Sequence, residues 1–198
     1  TESINILKEK GLINSRLGML VMGRVTGSDR DIKAGYYNLS ESMTPLKIFD
    51  TLIEGRTVQF TMTIPEGYEL RKIRKRFLKT DLMDDESWQL VYDKEFLRSL
   101  EVDAPSLEGY LYPDTYKFSK GTKPETIFKR MVQRLKENYD EPLRRRSEEL
   151  GMSENEVLDL ASIIEREAIY DTERPKISAV YHNRLKKNMR LQADPTVL

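Results

Sequence analysis

The stretch SENEVLDLASIIEREA, residues 153–168, determines the helical character of the second half of the chain. Ser153 and Glu156 match the S-x-x-E capping box, in which two side chains satisfy free backbone N–H groups of the first helical turn. The apolar residues that follow recur at helical spacing and cover an arc of roughly 240° at about 100° per residue. The pattern predicts a helix that is buried on most of its circumference.

Two glutamates, Glu165 and Glu167, fall inside this apolar arc. A carboxyl group in apolar surroundings is more stable in its protonated form, which suits a general acid working near neutral pH. The structural alternative is that each glutamate pairs with an arginine or caps a backbone group. The two side chains point roughly 200° apart on the helix, so joint action on one bond is not expected.

The composition excludes several classes of protein. The chain has 198 residues, of which 38% are hydrophobic and 33% charged, and no apolar run approaches the roughly 18 residues of a membrane span. Lysine plus arginine and aspartate plus glutamate both number 33, and this zero net charge disfavours a dedicated nucleic-acid-binding protein. Cysteine is absent, which excludes disulfides, cysteine-bound metals and a catalytic thiol. The single histidine, His182, has polar neighbours and predicts a surface or structural role.

The first third of the chain predicts a small α+β unit that ends near Pro65. Thr44, Pro45 and Gly55 are typical of the start and end of one helix. The segments 34–40 and 56–64, rich in aromatic or β-branched residues, predict strands. In chain order, the predicted helices and strands of this unit lie at 3–10, 14–25, 34–40, 45–54 and 56–64.

From Gly67 onward the pattern is mainly helical, apart from a predicted loop at 107–121. The basic run RKIRKR, residues 71–76, fits a solvated helix face better than a site for an anionic partner. The predicted helices of this region lie at 68–78, 85–100, 124–138, 142–150, 153–168 and 175–188.

The segment LEGYLYPDTY, residues 107–116, combines aromatic rings with acids. Flat rings and hydrogen-bond acceptors are what a sugar-binding cleft requires. Glu108 and Tyr112 are the strongest candidates to line such a cleft, and Asp114 is a further one. The structural alternative is a packed loop that buttresses the neighbouring helix.

The tail RLQADPTVL, residues 190–198, offers Gln192, Asp194 and Thr196. Short polar side chains of this kind can bind hydroxyl or N-acetyl groups. The Asp-Pro pair is equally typical of a turn.

Three phrases, LEGYLYPDTYKF, LASIIEREA and RLQADPTVL, together resemble the signature blocks of the MltG (YceG-like) family of endolytic murein transglycosylases. The resemblance implies a LysM-like subdomain at 1–65 and a mostly helical YceG-like catalytic domain at 66–198, both truncated at their outer ends. The fold class expected is therefore α+β.

The same resemblance implies the chemistry. Family members cut peptidoglycan between N-acetylmuramic acid and N-acetylglucosamine, leave a 1,6-anhydro end and help to terminate nascent strands. The nucleophile is the C6 hydroxyl of the substrate, so one carboxyl group suffices where ordinary glycosidases use two. By resemblance Glu165 is the catalytic residue, with no metal or cofactor. Glu167 also matches an acid of the family block, and its direction on the helix favours a supporting role such as pairing with a basic residue. The residues expected to bind substrate are Glu108, Tyr112, Asp114, Gln192 and Asp194.

The expected setting is the outer side of a bacterial cytoplasmic membrane, reached through a single-pass anchor absent from this sequence. The expected partners are peptidoglycan strands and cell-wall synthesis proteins, with no nucleic acid. Two alternatives remain open: a non-catalytic peptidoglycan-binding module, and a structural scaffold in a cell-wall synthesis complex. The binding module predicts that Glu165→Gln leaves glycan binding intact, whereas the scaffold predicts no glycan affinity.

Overall fold

The computed structural model describes residues 2–25 and 31–193. The chain forms two compact units: a first unit of Thr1–Thr61 and Lys117–Thr122, and a second unit of Met62–Tyr116 and Lys123–Leu198. The sequence predicted one boundary after residue 65 and did not predict the return of 117–122 to the first unit. The LysM-like character of the first unit stays a prediction.

The first unit contains three helices, α1 (Glu2–Glu9), α2 (Arg16–Val25) and α3 (Pro45–Glu54). Helix α3 starts where the sequence predicts, because the Thr44 side chain accepts a hydrogen bond from the Lys47 N–H at 3.3 Å. It ends at Gly55, whose φ of 71° is a left-handed conformation that glycine adopts without strain. Local signals therefore determine this helix.

All three helices contribute to the hydrophobic core of the first unit. Ile4 and Leu7 of α1 are buried together with Met19 of α2 and with Ile48 and Phe49 of α3. Burial of a side chain of this size stabilises the fold by about 1.5–3 kcal/mol.

Two antiparallel strands, β1 (Gln59–Thr63) and β2 (Thr115–Ser119), form the one sheet of the described chain. Two backbone hydrogen bonds fix the register: the Lys120 N–H donates to the Val58 carbonyl at 2.8 Å, and the Ile64 N–H donates to the Asp114 carbonyl at 2.9 Å. The boundary between the two units crosses both strands.

Two predictions about strands were wrong. The segment 34–40 is not a strand; a hydrogen bond of 2.8 Å from the Val58 N–H to the Tyr36 carbonyl joins it to the residue before β1, but no ladder forms. The predicted loop at 107–121 contains β2, in which Tyr116 and Phe118 are buried and the alternate residues are more exposed. Pairing with a distant strand, rather than local β propensity, decides both cases.

The second unit is mainly helical, as predicted. Its helices are α4 (Leu70–Phe77), α5 (Asp85–Trp88), α6 (Lys94–Ser99), α7 (Pro124–Asn138), α8 (Glu141–Leu150), α9 (Glu154–Glu167) and α10 (Arg174–Lys186), with 3₁₀ turns at Gln89–Tyr92 and Asp171–Glu173. The single helix predicted at 85–100 is wrong. Asp93 interrupts it, because its carboxylate accepts the Phe96 N–H at 2.7 Å and so starts α6 as a new helix.

Aromatic rings from α4, α5 and α7 pack together in the second unit. The ring centroids of Phe77 and Trp88 are 6.1 Å apart, those of Phe77 and Phe128 are 6.4 Å apart, and those of Trp88 and Phe128 are 5.5 Å apart. Tilted and edge-on contacts at such distances add to the stabilisation that burial gives.

The predicted α+β fold class is confirmed, with a small two-stranded sheet and a mostly helical second unit. None of the described helices combines the length and the apolar composition that crossing a membrane requires.

Candidate functional site

Helix α9 carries both candidate glutamates and begins with the predicted capping box. The Ser153 hydroxyl accepts the Glu156 N–H at 3.3 Å, and the Glu156 carboxylate accepts the Ser153 N–H at 2.8 Å. These hydrogen bonds stabilise the charged carboxylate and lower the pKa of Glu156. The local sequence therefore determines where α9, the helix that carries the candidate site, begins.

The predicted burial of α9 was wrong. Leu160 is the only α9 side chain that is buried in the described part of the chain. It packs in a small cluster with Tyr181 of α10 and with Ala193, around which half-buried residues of both helices lie. Ala161 is exposed and Ile169 is 82% exposed, because α10 and residues 191–193 cover only part of the apolar arc.

Glu165 lies in the last turn of α9 and pairs with Arg174. The Arg174 Nη2 atom is 3.1 Å from Oε1 and 2.9 Å from Oε2 of Glu165. The Glu165 side chain is 40% exposed, so the apolar wall predicted around it is not present. The arginine neighbour predicted by the structural alternative is present, and the carboxylate is accessible from solvent.

Arg174 is the residue that sequence reasoning missed. It is the first residue of α10, directly after the 3₁₀ turn, and its Nη2 atom also lies 3.3 Å from the Asp171 carboxylate. Its Nε atom is buried and has no hydrogen-bond acceptor among the described residues. The signal in the sequence was a charged run, DTER, placed directly before the helical Pro175.

Glu167 lines a cavity of about 290 Å³ on the other side of the helix end. The other lining residues are Ile177, Val180, Tyr181, Arg184 and Gln192. Within the described chain, the Glu167 carboxylate makes no hydrogen bond or ion pair. The basic partner that the sequence suggested for Glu167 is thus not among these contacts, and its supporting role stays a prediction.

Gln192 lines the same cavity because residues 191–193 lie against α10. The Arg184 guanidinium donates a hydrogen bond to the Leu191 carbonyl and lies 6.0 Å from the centroid of the Tyr181 ring. Gln192 has a φ of 50°, a left-handed conformation that is uncommon for a residue with a side chain. Asp194 and Thr196 lie outside the described residues.

Glu108 does not line the cavity. Its carboxylate accepts the Leu70 N–H at 3.1 and 3.2 Å and so caps the start of α4, where Glu69 provides no side-chain cap. Although much of the residue is exposed, the carboxylate end is partly buried there, and this burial raises the pKa of Glu108. These contacts match the structural alternative, in which the loop supports a neighbouring helix.

Two tyrosines beside Glu108 also make structural contacts. Tyr110 is buried, and its hydroxyl donates to Asn155 of α9 at 3.4 Å. Burial raises the pKa of Tyr110 to about 12. Tyr112 is half-buried, and its carbonyl accepts the Tyr116 hydroxyl at 2.6 Å. Tyr110 therefore connects this segment to the first turn of α9, and the Tyr112 contact lies within the segment.

Asp114 pairs with Arg134 of α7 at 2.8 Å and accepts its neighbour's N–H, that of Thr115, at 2.7 Å. The Thr115 N–H and the guanidinium lower the pKa of Asp114. Asp114 thus joins the start of β2 to α7, and it is not one of the residues that line the cavity.

The basic run 71–76 is largely engaged by its own neighbours. Arg71 pairs with Glu69 at 3.2 Å, and Arg76 donates to the Thr63 carbonyl at 3.0 Å. Arg166 of α9 lies 3.7 Å from Glu69 on the same side. In the described residues, no group of three or more histidine, aspartate or glutamate side chains is placed to hold a metal ion.

Described residues of all three sequence blocks thus lie in the second unit: Tyr110 is hydrogen-bonded to Asn155 of α9, and residues 191–193 lie against α9 and α10. A family model of the YceG-like family matches residues 1–198. The chain belongs to the YceG-like family.

The names of two relatives agree with membership of the YceG-like family. The YceG-like chain is 33% identical over 211 residues to an endolytic murein transglycosylase of Bacillus subtilis, with 98% of this chain and 58% of the relative covered. It is 30% identical over 195 residues to an endolytic murein transglycosylase of Streptococcus pneumoniae, with 85% and 35% covered. The chain therefore spans between about a third and about three-fifths of these relatives.

A solved structure supports the fold. The crystal structure of a YceG-like protein from Listeria monocytogenes matches with a TM-score of 0.61 at 35% identity, covering 98% of this chain and 69% of that chain. The YceG-like fold described above is therefore shared with an experimental structure along nearly the whole sequence.

Proposed function

We propose that this chain is the catalytic part of an endolytic murein transglycosylase. The enzyme would cleave the bond between N-acetylmuramic acid and N-acetylglucosamine inside peptidoglycan strands and leave a 1,6-anhydro-muramic end. The observation that carries the proposal is that Glu167 of the E-x-E helix and Gln192 of the third sequence block line one cavity. Membership of the YceG-like family and the names of the relatives support it.

Glu165 is the proposed acid and base. Its carboxyl group gives a proton to the glycosidic oxygen as the bond from the muramic-acid C1 breaks. The C6 hydroxyl oxygen of the same sugar bonds to C1, and the Glu165 carboxylate takes the proton that this hydroxyl loses. The sum is an intramolecular substitution at C1 without water, in which Glu165 returns to its protonated state.

The accessibility of Glu165 suits this role. With its side chain 40% exposed, the carboxyl group is open to a polymer that binds from solvent. A second carboxylate is not required, because the substrate contributes the nucleophile.

The cavity beside Glu167 is the proposed place for a sugar substituent. Its volume of about 290 Å³ accommodates an N-acetyl group or part of a sugar ring. Gln192 can donate and accept hydrogen bonds, and the Glu167 carboxylate can accept from a hydroxyl.

The decisive experiment is a digest of purified glycan strands by the intact protein that contains this sequence, with products identified by mass spectrometry. We expect anhydro-muramic ends from the wild type, and a loss of at least about 10²-fold in rate for Glu165→Gln. Glu149→Gln is the matched control, because Glu149 is also a half-exposed glutamate paired with an arginine, Arg146, at 2.8 Å. It should cleave at the wild-type rate.

Other outcomes point elsewhere. Reducing ends would mean that water is the nucleophile and would contradict attack by the C6 hydroxyl. Absence of cleavage with binding to strands retained in both wild type and Glu165→Gln would favour the peptidoglycan-binding module.

We further propose that the intact protein is anchored in a bacterial cytoplasmic membrane with this region outside, and that it helps to terminate nascent strands beside cell-wall synthesis proteins. The family resemblance motivates both statements. Recovery of the intact protein in the cytosolic fraction of cells would contradict the location, and unchanged strand lengths in cells that carry Glu165→Gln would contradict the cellular role.

A further inference from the structure

The contact between Arg174 and Glu165 has an unusual geometry. A single atom, Nη2 of Arg174, lies 3.1 Å from one carboxylate oxygen and 2.9 Å from the other. A bidentate arginine–carboxylate pair instead uses two nitrogens, one for each oxygen, and is correspondingly firmer. One nitrogen therefore contacts both oxygens of the Glu165 carboxylate at nearly equal distances.

A second carboxylate competes for the same nitrogen. Asp171, whose side chain is 90% exposed, lies 3.3 Å from Nη2, while the buried Nε of Arg174 has no acceptor in the described chain. The guanidinium thus contacts both carboxylates through one nitrogen, Nη2. The same nitrogen lies within ion-pair distance of both carboxylates, at 2.9 Å from Glu165 and 3.3 Å from Asp171.

We infer that Arg174 is the positioning residue for Glu165 during bond cleavage and that Asp171 is its second acceptor; this inference rests on the proposed function. Arg174 is not the acid itself, because a guanidinium does not lose its proton in proteins. Its effect is exerted through the carboxyl group that it contacts.

The charge of Glu165 explains why such a residue is needed. The carboxyl group is neutral before it protonates the leaving oxygen, negative once the proton has left, and neutral again after it takes the proton of the C6 hydroxyl. A cation about 3 Å away stabilises the negative state selectively. An interaction that is stronger as charge develops than in the ground state accelerates the reaction.

Asp171 completes the arrangement. While Glu165 carries its proton, Arg174 retains a negative neighbour in Asp171, so its own charge stays compensated. When Glu165 becomes negative, the same nitrogen is already within reach of its carboxylate.

Steady-state kinetics of the intact protein on purified glycan strands test the inference. Arg174→Gln should lower kcat about 10- to 100-fold, which is less than the roughly 10²- to 10³-fold loss for a group that contacts the developing charge of the substrate directly, because Arg174 acts through Glu165. It should change KM less than about threefold. Arg174→Lys should recover most of kcat, because the native contact uses one nitrogen and an ammonium group can replace it. Asp171→Asn should lower kcat severalfold.

A double variant separates positioning from general structural support. Since Arg174 acts through Glu165, the Glu165→Gln/Arg174→Gln double variant should be no slower than Glu165→Gln alone. If the two losses multiply instead, Arg174 acts independently of Glu165 and the inference is overturned.

The matched control is Arg146→Gln, which removes an exposed arginine from another glutamate pair in the same unit. It should keep wild-type kcat and KM. Wild-type kcat in Arg174→Gln, or a raised KM with kcat unchanged, would overturn the inference while leaving the proposed function in place. A wild-type protein that cleaves no strand would overturn the proposed function and the inference with it.

Discussion

The segments LEGYLYPDTY (107–116) and LASIIEREA (160–168) have similar mixtures of apolar residues and acids, but they are packed to different degrees. In the first, Leu107 is fully buried and Tyr110 is 2% exposed. In the second, only Leu160 is buried in the described structure. The first segment belongs to the packed scaffold, and the second lies at its surface.

The acids of the two segments differ in the same way. Glu108 caps a helix and Asp114 pairs with a helix, so both carboxylates are engaged in holding the fold together. Glu165 is held by one shared guanidinium nitrogen, and Glu167 faces a cavity. Catalysis requires side chains that a substrate can reach. The less packed segment, LASIIEREA, provides such side chains.

The largest expected effect is on stability, in the packed segment. Leu107→Ala should lower the free energy of unfolding by about 3–4 kcal/mol, because it removes buried contacts and leaves a cavity that the surrounding core cannot fill. Urea unfolding followed by circular dichroism measures this. Ile169→Ala is the control; its side chain is 82% exposed, so the change should stay within about 0.5 kcal/mol. A loss below about 1 kcal/mol for Leu107→Ala would remove the contrast between the segments.

An intermediate effect is expected for Leu160→Ala. The substitution should lower the free energy of unfolding by about 2 kcal/mol, at the low end for a buried leucine. The loss is small because the half-buried neighbours of Leu160 can move into the cavity. The same urea measurement tests the value. A loss equal to that of Leu107→Ala would mean that the α9–α10 pair is packed as firmly as the scaffold.

The smallest expected effect is on the pH dependence of stability. The pKa of Glu108 is raised from 4.5, so the folded state binds more protons than the unfolded state as the pH rises above that value. Stability contributed by this group is therefore greatest at low pH and is lost as the pH rises through the folded pKa. Glu108→Gln should remove this loss while its amide oxygen still accepts the Leu70 N–H. Urea unfolding at several pH values from about 4 to about 7 measures the slope.

Asp114→Asn is the control of opposite sign. The pKa of Asp114 is lowered from 3.8, so its contribution is present above that pH and is lost as the pH falls through the folded pKa. The asparagine variant should lose stability at neutral pH and should depend less on pH below about 4. If the stability of both variants changed with pH in the same way, this would contradict the distinct environments assigned to Glu108 and Asp114.

Elements controlled by neighbouring residues were predicted well from the sequence. The caps of α3 at Thr44 and Gly55 and the capping box of α9 at Ser153 involve residues within four positions of each other. Hydrogen bonds of that range form from local geometry alone, so the residue types are sufficient to predict them. The family blocks were recognised for the same reason, because they are short and contiguous.

The site was only partly predictable. The helix of Glu165 and Glu167 and the nearby position of Gln192 follow from the sequence blocks, but the degree of burial does not. An apolar arc shows which face can be covered and does not show how much of it a partner covers. For α9 the partner surface is α10 and residues 191–193, which is narrower than the arc.

By itself, the sequence determined the helical second unit, the start of α9 and the family to which the chain belongs. Only the tertiary structure decided that Glu108 caps a helix 38 residues away, that β2 pairs with β1, and that Arg174 reaches back nine residues to Glu165. Local hydrogen bonds depend on a few neighbouring torsion angles, whereas these contacts depend on where the whole chain brings distant side chains together.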